Sequence, residues 1–242
     1  MKASLAAWAR GAGRGLALLA LGVVALQLAL AARIALMAWV DPQSTSFQRT
    51  AAWQFLRAGE WPGWQQDWVP YARIADSLKR AVVASEDSGF VDHRGIDWDA
   101  IEAAREANRR RTARRPDATP QLRGGSTISQ QLAKNLLLSG EQTVARKAQE
   151  AVLVVWLELL LDKRRILELY LNHVEWGRGV YGAQAAAQHH HGVDAAGLSA
   201  PQAAALAVML PSPRRFEQRP DSPFLRSRAA TVLARMPAVR VP

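Results

Sequence analysis

An unbroken apolar run near the N-terminus constrains this chain more than any other feature. Leu16 to Ala32 carries no charge, and after the single Arg33 apolar character continues through Ile34, Leu36, Met37, Trp39 and Val40. At a helical rise of ~1.5 Å per residue, a hydrocarbon core ~30 Å thick needs roughly twenty residues. Residues 15–40 are therefore expected to form a transmembrane anchor, with Arg33 snorkelling to the interface. Lys2, Arg10 and Arg14 flank the N-terminal side, so the positive-inside rule predicts a cytoplasmic tail over 1–14 and export of the residues beyond the anchor. A cleaved signal peptide is the rival reading, since Ala29 and Ala31 make an A-x-A-like site. The run exceeds the usual ~7–15 residue core of such signals, which favours the anchor.

With 242 residues, 49% of them hydrophobic, the chain has room for one sizeable core plus the anchor, and not for two catalytic domains. A formal charge of +10 points to a phosphate-bearing partner: nucleic acid, an anionic membrane surface or a pyrophosphate. The exported topology argues against nucleic acid. No cysteine is present, which excludes disulfides, thiolate metal sites and a thiol nucleophile. Trp53, Trp61, Trp64 and Trp68 crowd the juxtamembrane segment 41–73, either as a headgroup collar or as ordinary core. Beyond it, over 74–242, helical spacing dominates, as at Ile74, Leu78, Ala81 and Val82, and the fold is expected to be mainly α. Helices are predicted at Trp98 to Asn108, Ser126 to Leu138, Thr143 to Leu161, Arg164 to Asn172 and Ser199 to Leu210. Between residues 105 and 123, seven arginines accompany Pro116 and Pro120, a composition that favours a solvated loop.

Four constellations carry chemistry. Glu86-Asp87-Ser88-Gly89-Phe90-Val91-Asp92-His93-Arg94-Gly95 clusters acids where one predicted helix ends. A carboxylate there, beside apolar Phe90, is either a general base or a solvated acidic turn, and His93 reads as structural. Gly124-Gly125-Ser126-Thr127 opens a helix whose apolar stripe is Ile128, Leu132 and Leu136 and whose polar stripe is Thr127, Gln131 and Asn135, with Lys134 alongside. Free N–H groups at such a helix start could bind an anion, or the stripe could be a solvated face. Arg146-Lys147-Ala148-Gln149-Glu150 is a plain i, i+4 ion pair or a phosphate site. Lys163 to Asn172, with Gly177, Gly179, Gly182 and the alanines 185–187, reads as scaffold in which Glu168 and Asn172 are buried polar braces.

In this order, the four blocks closely resemble the bacterial peptidoglycan glycosyltransferase family, glycosyltransferase family 51, shared by class A penicillin-binding proteins and stand-alone biosynthetic transglycosylases. The match runs from about Ala81 to Pro213, including Gln202 to Ala207 and Leu210-Pro211-Ser212-Pro213. No Ser-x-x-Lys or Lys-Thr-Gly accompanies it, so the layout resembles the monofunctional member. The resemblance implies a lysozyme-like helical domain with a membrane-dipping subdomain. It implies polymerisation of lipid II into β-1,4-linked glycan with release of undecaprenyl pyrophosphate, on the periplasmic side of the inner membrane. By resemblance, Glu86 is the general base of an inverting displacement. Lys134, Arg146 and Lys147 would stabilise the leaving pyrophosphate, with Gln131, Ser126 and Glu150 positioning them or a divalent cation, Mg or Mn. Implied partners are lipid II, the growing lipid-linked strand, the membrane, and cell-division or cell-wall synthesis proteins.

The sequence departs from the family pattern at His189-His190-His191, where aromatic residues are usual. Consecutive helical histidines cannot converge on one ion, so packing or surface roles are expected. The arginine-rich stretch looks long, and Gly140-Glu141-Gln142 lacks a basic residue. Two rivals remain: a lysozyme-like lytic enzyme working through one protonated carboxylic acid, and a non-enzymatic tethered scaffold.

Overall fold

The computed structural model describes residues 2–114, 125–138, 140–141 and 143–242. Its helices are α1 (Lys2–Leu36), α2 (Ser46–Ala58), α3 (Asp76–Glu86), α4 (Trp98–Arg114), α5 (Ile128–Leu137), α6 (Val144–Leu160), α7 (Lys163–His173), α8 (Ala183–His191), α9 (Ala200–Ala207), α10 (Pro213–Phe216) and α11 (Pro223–Arg235). Short strands β1 (Gln65–Gln66), β2 (Glu175–Gly177) and β3 (Val180–Tyr181) form a sheet of order β1-β3-β2, with β1 parallel and β2 antiparallel to β3. The fold is mainly α, as expected.

Within α1, Gly13–Leu36 is long and apolar enough to cross a membrane, and its leucines from Leu16 to Leu28 are exposed. The helix does not simply end at the domain. Ile34 and Met37 are buried in the core, and α1 packs along α6. The segment 41–73 is bound in as well: α2 packs on α5, and β1 pairs with β3. Asn172 exchanges hydrogen bonds with both backbone groups of Val69 (2.9 and 3.0 Å), and Glu168 accepts from Tyr71 N (2.6 Å), so both act as the braces predicted. Trp53 and Trp61 are exposed, whereas Trp64 stacks on Tyr181 and Trp68 lies against His173, so the tryptophans divide between surface and packing.

The core helices follow from sequence pattern and capping. Thr127 caps α5 in a capping box with Gln130, and Ile128, Leu132 and Leu136 then bury one stripe. Thr143 caps α6 and Asp162 caps α7, each accepting from a first-turn N–H. On α6 the buried face is Glu150, Leu153, Val154 and Leu157; on α7 it includes Ile166, Leu167, Leu169, Tyr170 and Leu171. Helix α5 packs on both α6 and α7, while α3 packs on α9 and α11. Two glycines permit close approach. Gly95 (φ +83°) brings its loop so near α6 that a Cβ there would lie 2.3 Å from Val154 Cγ1. Gly182 (φ +83°) sits 2.7 Å, by the same construction, from the Asn172 carbonyl oxygen.

One expectation is overturned. The helix predicted from Trp98 to Asn108 runs on through Arg109 to Arg114, which the arginine-rich composition assigned to a loop. Glu106 pairs with Arg109 (2.8 Å) and Arg110 (2.7 Å) at helical spacing, and no proline intervenes before Pro116, so local pairing outweighs the repulsion among arginines. Residues 115–124 of that predicted loop lie outside the described residues.

Candidate active site

Helix α3 ends at Glu86 because Asp87 leaves helical geometry (φ −162°, ψ 73°). The last turn thus presents Glu86 beside α5, where Gln131 Nε2 donates to Glu86 Oε2 at 2.9 Å and Ser85 Oγ donates to Oε1 at 3.2 Å. Gln131 is itself held: Tyr170 OH, fully buried on α7, donates to Gln131 Oε1 at 2.9 Å. The orientation is chemically determined, since an ionised carboxylate only accepts, so the amide nitrogen must face Glu86 and the amide oxygen must face Tyr170. Burial raises the Glu86 pKa above the usual carboxylate value, and the bonds from Gln131 and Ser85, with the charge of Arg228, hold it back. Such a carboxylate is a stronger base than a solvated glutamate and still has donors to steady its charge.

The neighbouring acid has a structural task. Asp87 Oδ2 accepts from Ile128 N at 3.0 Å, and Oδ1 pairs with His93 Nε2 at 2.8 Å. Because Gly95 N donates to His93 Nδ1 (3.1 Å), the ring proton sits on Nε2 and points at Asp87. These bonds narrow what the helix start can offer a ligand. At the start of α5, Asp87 Oδ2 accepts from Ile128 N and Thr127 Oγ1 accepts from Gln130 N, so the protein itself takes two of the first-turn N–H groups. Asp87, His93 and Asp97 place ligand-type atoms within 4.8 Å of one another, but the bonds above already satisfy Asp87 and His93. His93 is structural, as expected.

A basic basin forms where α5 meets the first turns of α6. Arg146 NH1 donates to Glu150 Oε2 at 2.8 Å, and Lys147 Nζ donates to Glu150 Oε1. Glu150 is buried, Lys147 is half exposed, and Arg146 Nε is buried with no partner among the described residues. Lys134 joins them across an open cavity of about 650 Å³ that is also lined by Phe47, Gly140, Glu141 and Thr143. Burial lowers the Lys134 pKa; Glu150 opposes the shift, and Arg146 and Lys147 add to it. Lys134, Arg146 and Lys147 outnumber Glu150 and the exposed Glu141, so the basin carries a net positive charge. A divalent cation does not fit beside Glu150. Both of its oxygens are taken by cations, and a further positive charge would meet Lys134.

Helix α5 joins the two halves. Gln131 touches Glu86, and Lys134, one turn on, feels the field of Glu150. Glu86 at the end of α3 thus connects through Gln131 and Lys134 of α5 to Arg146, Lys147 and Glu150 of α6, while Ser126 lines a smaller cavity of about 150 Å³ with Glu86, Ser85, Ser88 and Arg235. Tyr170 and the α11 arginines were not singled out from sequence. A tyrosine inside the apolar face of α7 was the available signal, since a buried hydroxyl requires a partner. The histidine run diverges as expected: His190 Nε2 bonds the Trp176 carbonyl at 3.0 Å while His189 is exposed.

Comparison with known proteins supplies the family. The transglycosylase family model matches residues 57–237. The biosynthetic peptidoglycan transglycosylase of Herminiimonas arsenicoxydans is 50% identical over 206 residues, covering 84% of this chain and 86% of that protein. Its namesake in Burkholderia orbicola (strain MC0-3) is 47% identical over 239 residues, 99% of this chain and 94% of that protein. The one in Bordetella pertussis (strain Tohama I) is 48% identical over 205 residues, 85% of this chain and 84% of that protein. Matched over most of its length by the family model and by relatives at nearly half identity, this chain belongs to the transglycosylase family.

Proposed function

We propose that Glu86 is the general base of an inverting glycosyl transfer in which lipid II is added to a lipid-linked glycan strand. The chain is a peptidoglycan transglycosylase of cell wall biosynthesis, an enzyme of the glycosyltransferase class, associated with the membrane through α1. In the mechanism, Glu86 removes the proton of the acceptor sugar 4-hydroxyl as that oxygen attacks the anomeric carbon of the donor. The bond to pyrophosphate breaks in the same displacement, a β-1,4 link forms, and undecaprenyl pyrophosphate leaves. Negative charge grows on the leaving phosphate, where Lys134, Arg146 and Lys147 lie ready to receive it. Glu150 holds two of those cations in place.

The observation that carries this reading is the pairing, along α5, of a partly desolvated carboxylate with an under-neutralised basic basin. A lytic enzyme acting on finished glycan has no pyrophosphate to stabilise, so the basin would be idle. We place the domain on the outer face of the membrane, with the residues preceding the span cytoplasmic, on the strength of Lys2, Arg10 and Arg14. Incubation with lipid II and, separately, with purified sacculi tests the assignment. Strand growth from the first supports it, and solubilised fragments from the second would replace it with the lytic reading.

A further inference from the structure

Between Arg14 and Arg33, Gln27 is the one polar side chain of the apolar span. Its amide is answered by Gln149 of α6: Gln27 Nε2 donates to Gln149 Oε1 at 2.9 Å, and Gln149 Nε2 donates back to Gln27 Oε1 at 3.4 Å. In hydrocarbon no water satisfies a carboxamide, so a glutamine in a span is stable there when a neighbouring helix supplies the complement. The complement here comes from the helix of the basic basin, at the residue adjacent to Glu150 and three beyond Arg146. At a rise of ~1.5 Å per residue, Gln27 lies ~20 Å along the axis from Arg14 and ~9 Å from Arg33, in the half of the span nearer the domain.

The surfaces around the pair agree with this placement. On α6, Val144, Val152, Val155 and Leu159 are exposed, and α1, which packs alongside, exposes Leu26 and Leu28. The two helices offer lipid a shared apolar surface, and the amide pair links them.

Building on the glycosyl-transfer reading above, we infer that Gln27 is a positioning residue for the pyrophosphate basin, its clasp to Gln149 fixing the height of α6 against the membrane span. A substrate whose prenyl chain lies in the bilayer holds its own pyrophosphate at a fixed depth. Arg146 and Lys147 meet that phosphate only if their helix is held at the same level.

The test uses full-length protein in phospholipid vesicles, as wild type, Gln27→Leu, Gln149→Leu and the double variant. Each is assayed with lipid II bearing its full prenyl chain and with a short-chain lipid II analogue free in solution. Each single substitution is expected to raise KM for the long-chain substrate about 3- to 15-fold, the span of interhelical hydrogen bonds in membranes, with kcat nearly unchanged. The double variant should be no worse than either single one, and the short-chain substrate should show no difference. Multiplying single effects, an unchanged KM, or equal loss on both substrates would overturn the inference. Wild type inactive on lipid II would instead sink the glycosyl-transfer reading. The clasp is then decided separately by a Gln27→Cys, Gln149→Cys pair in this cysteine-free chain. Bridging by a short bis-maleimide in vesicles is expected, and failure to bridge refutes the contact.

Discussion

Tyr170→Phe removes a single hydroxyl and tests whether the base is tuned through a relay. In the native protein Tyr170 OH donates to Gln131 Oε1, which commits Gln131 Nε2 to Glu86. Phenylalanine fills the same volume, so no cavity opens. What is lost is one hydrogen bond, and what remains is an amide oxygen without its donor, together worth about 1–3 kcal/mol. For a chain of this size that lowers the melting temperature by roughly 2–12 °C. The second consequence is chemical. With its oxygen unpinned, the amide of Gln131 can rotate and weaken the bond that holds the Glu86 pKa down, so the pKa rises further. Activity requires ionised Glu86, and the acid limb of the pH–rate profile therefore moves to higher pH in the variant. Lipid II polymerisation measured across pH, alongside thermal melting, reads both effects. A lowered melting temperature with the acid limb unmoved would refute the relay and leave Tyr170 as packing alone.

Lys147 is half exposed, so Lys147→Ala should change stability by less than about 1 kcal/mol while losing a charged contact worth about 1.5–3 kcal/mol, roughly 10- to 150-fold in turnover. Equal rates would return Lys147 to a simple ion pair. Glu150→Gln, by contrast, should lower stability and rate together, because half-buried Arg146 loses its counter-charge; calorimetry and turnover on one preparation check this. An anion entering the basin should restore the depressed Lys134 pKa toward its ordinary value, so pyrophosphate binding takes up a proton and affinity falls as pH rises through the free-state value. Titration calorimetry in buffers of different ionisation enthalpy would show that uptake, and buffer-independent heats would contradict it. Gly95→Ala would set a Cβ 2.3 Å from Val154 Cγ1 and 2.9 Å from Glu158 Cγ at φ +83°, costing about 2–6 kcal/mol in denaturant unfolding. A loss under about 1 kcal/mol would mean the loop moves freely off α6.

The parts of this molecule readable from sequence are those specified locally. Helices α5, α6 and α7 were legible because Thr127, Thr143 and Asp162 cap apolar stripes of helical period. Helix α2 carried a comparable sign, Thr45 with Gln48, but the neighbouring tryptophans drew the segment toward a membrane collar. Strands of two or three residues are too short for alternation to register. In α4 composition misled, since arginines averaged with Pro116 and Pro120 hid the Glu106 pairs. Of the site, the residue types were visible and the wiring was not. Gln131 reaches Glu86 across 45 positions, and the Asp87 carboxylate reaches the start of α5 across 41. Only the packed structure reveals that the protein's own Asp87 carboxylate takes the Ile128 N–H at that helix start.

Replacement of Glu86 by glutamine probes the mechanism at its reacting atom, since the introduced carboxamide can still accept from Gln131 through its oxygen and donate to Ser85 Oγ through its nitrogen, but cannot take a proton. The measurement is the initial rate of lipid II polymerisation by Glu86→Gln beside wild type, with pyrophosphate affinity recorded on the same preparations. The mechanism predicts a rate about 10²- to 10⁴-fold lower with pyrophosphate affinity retained. A variant that polymerises lipid II at the wild-type rate would contradict it.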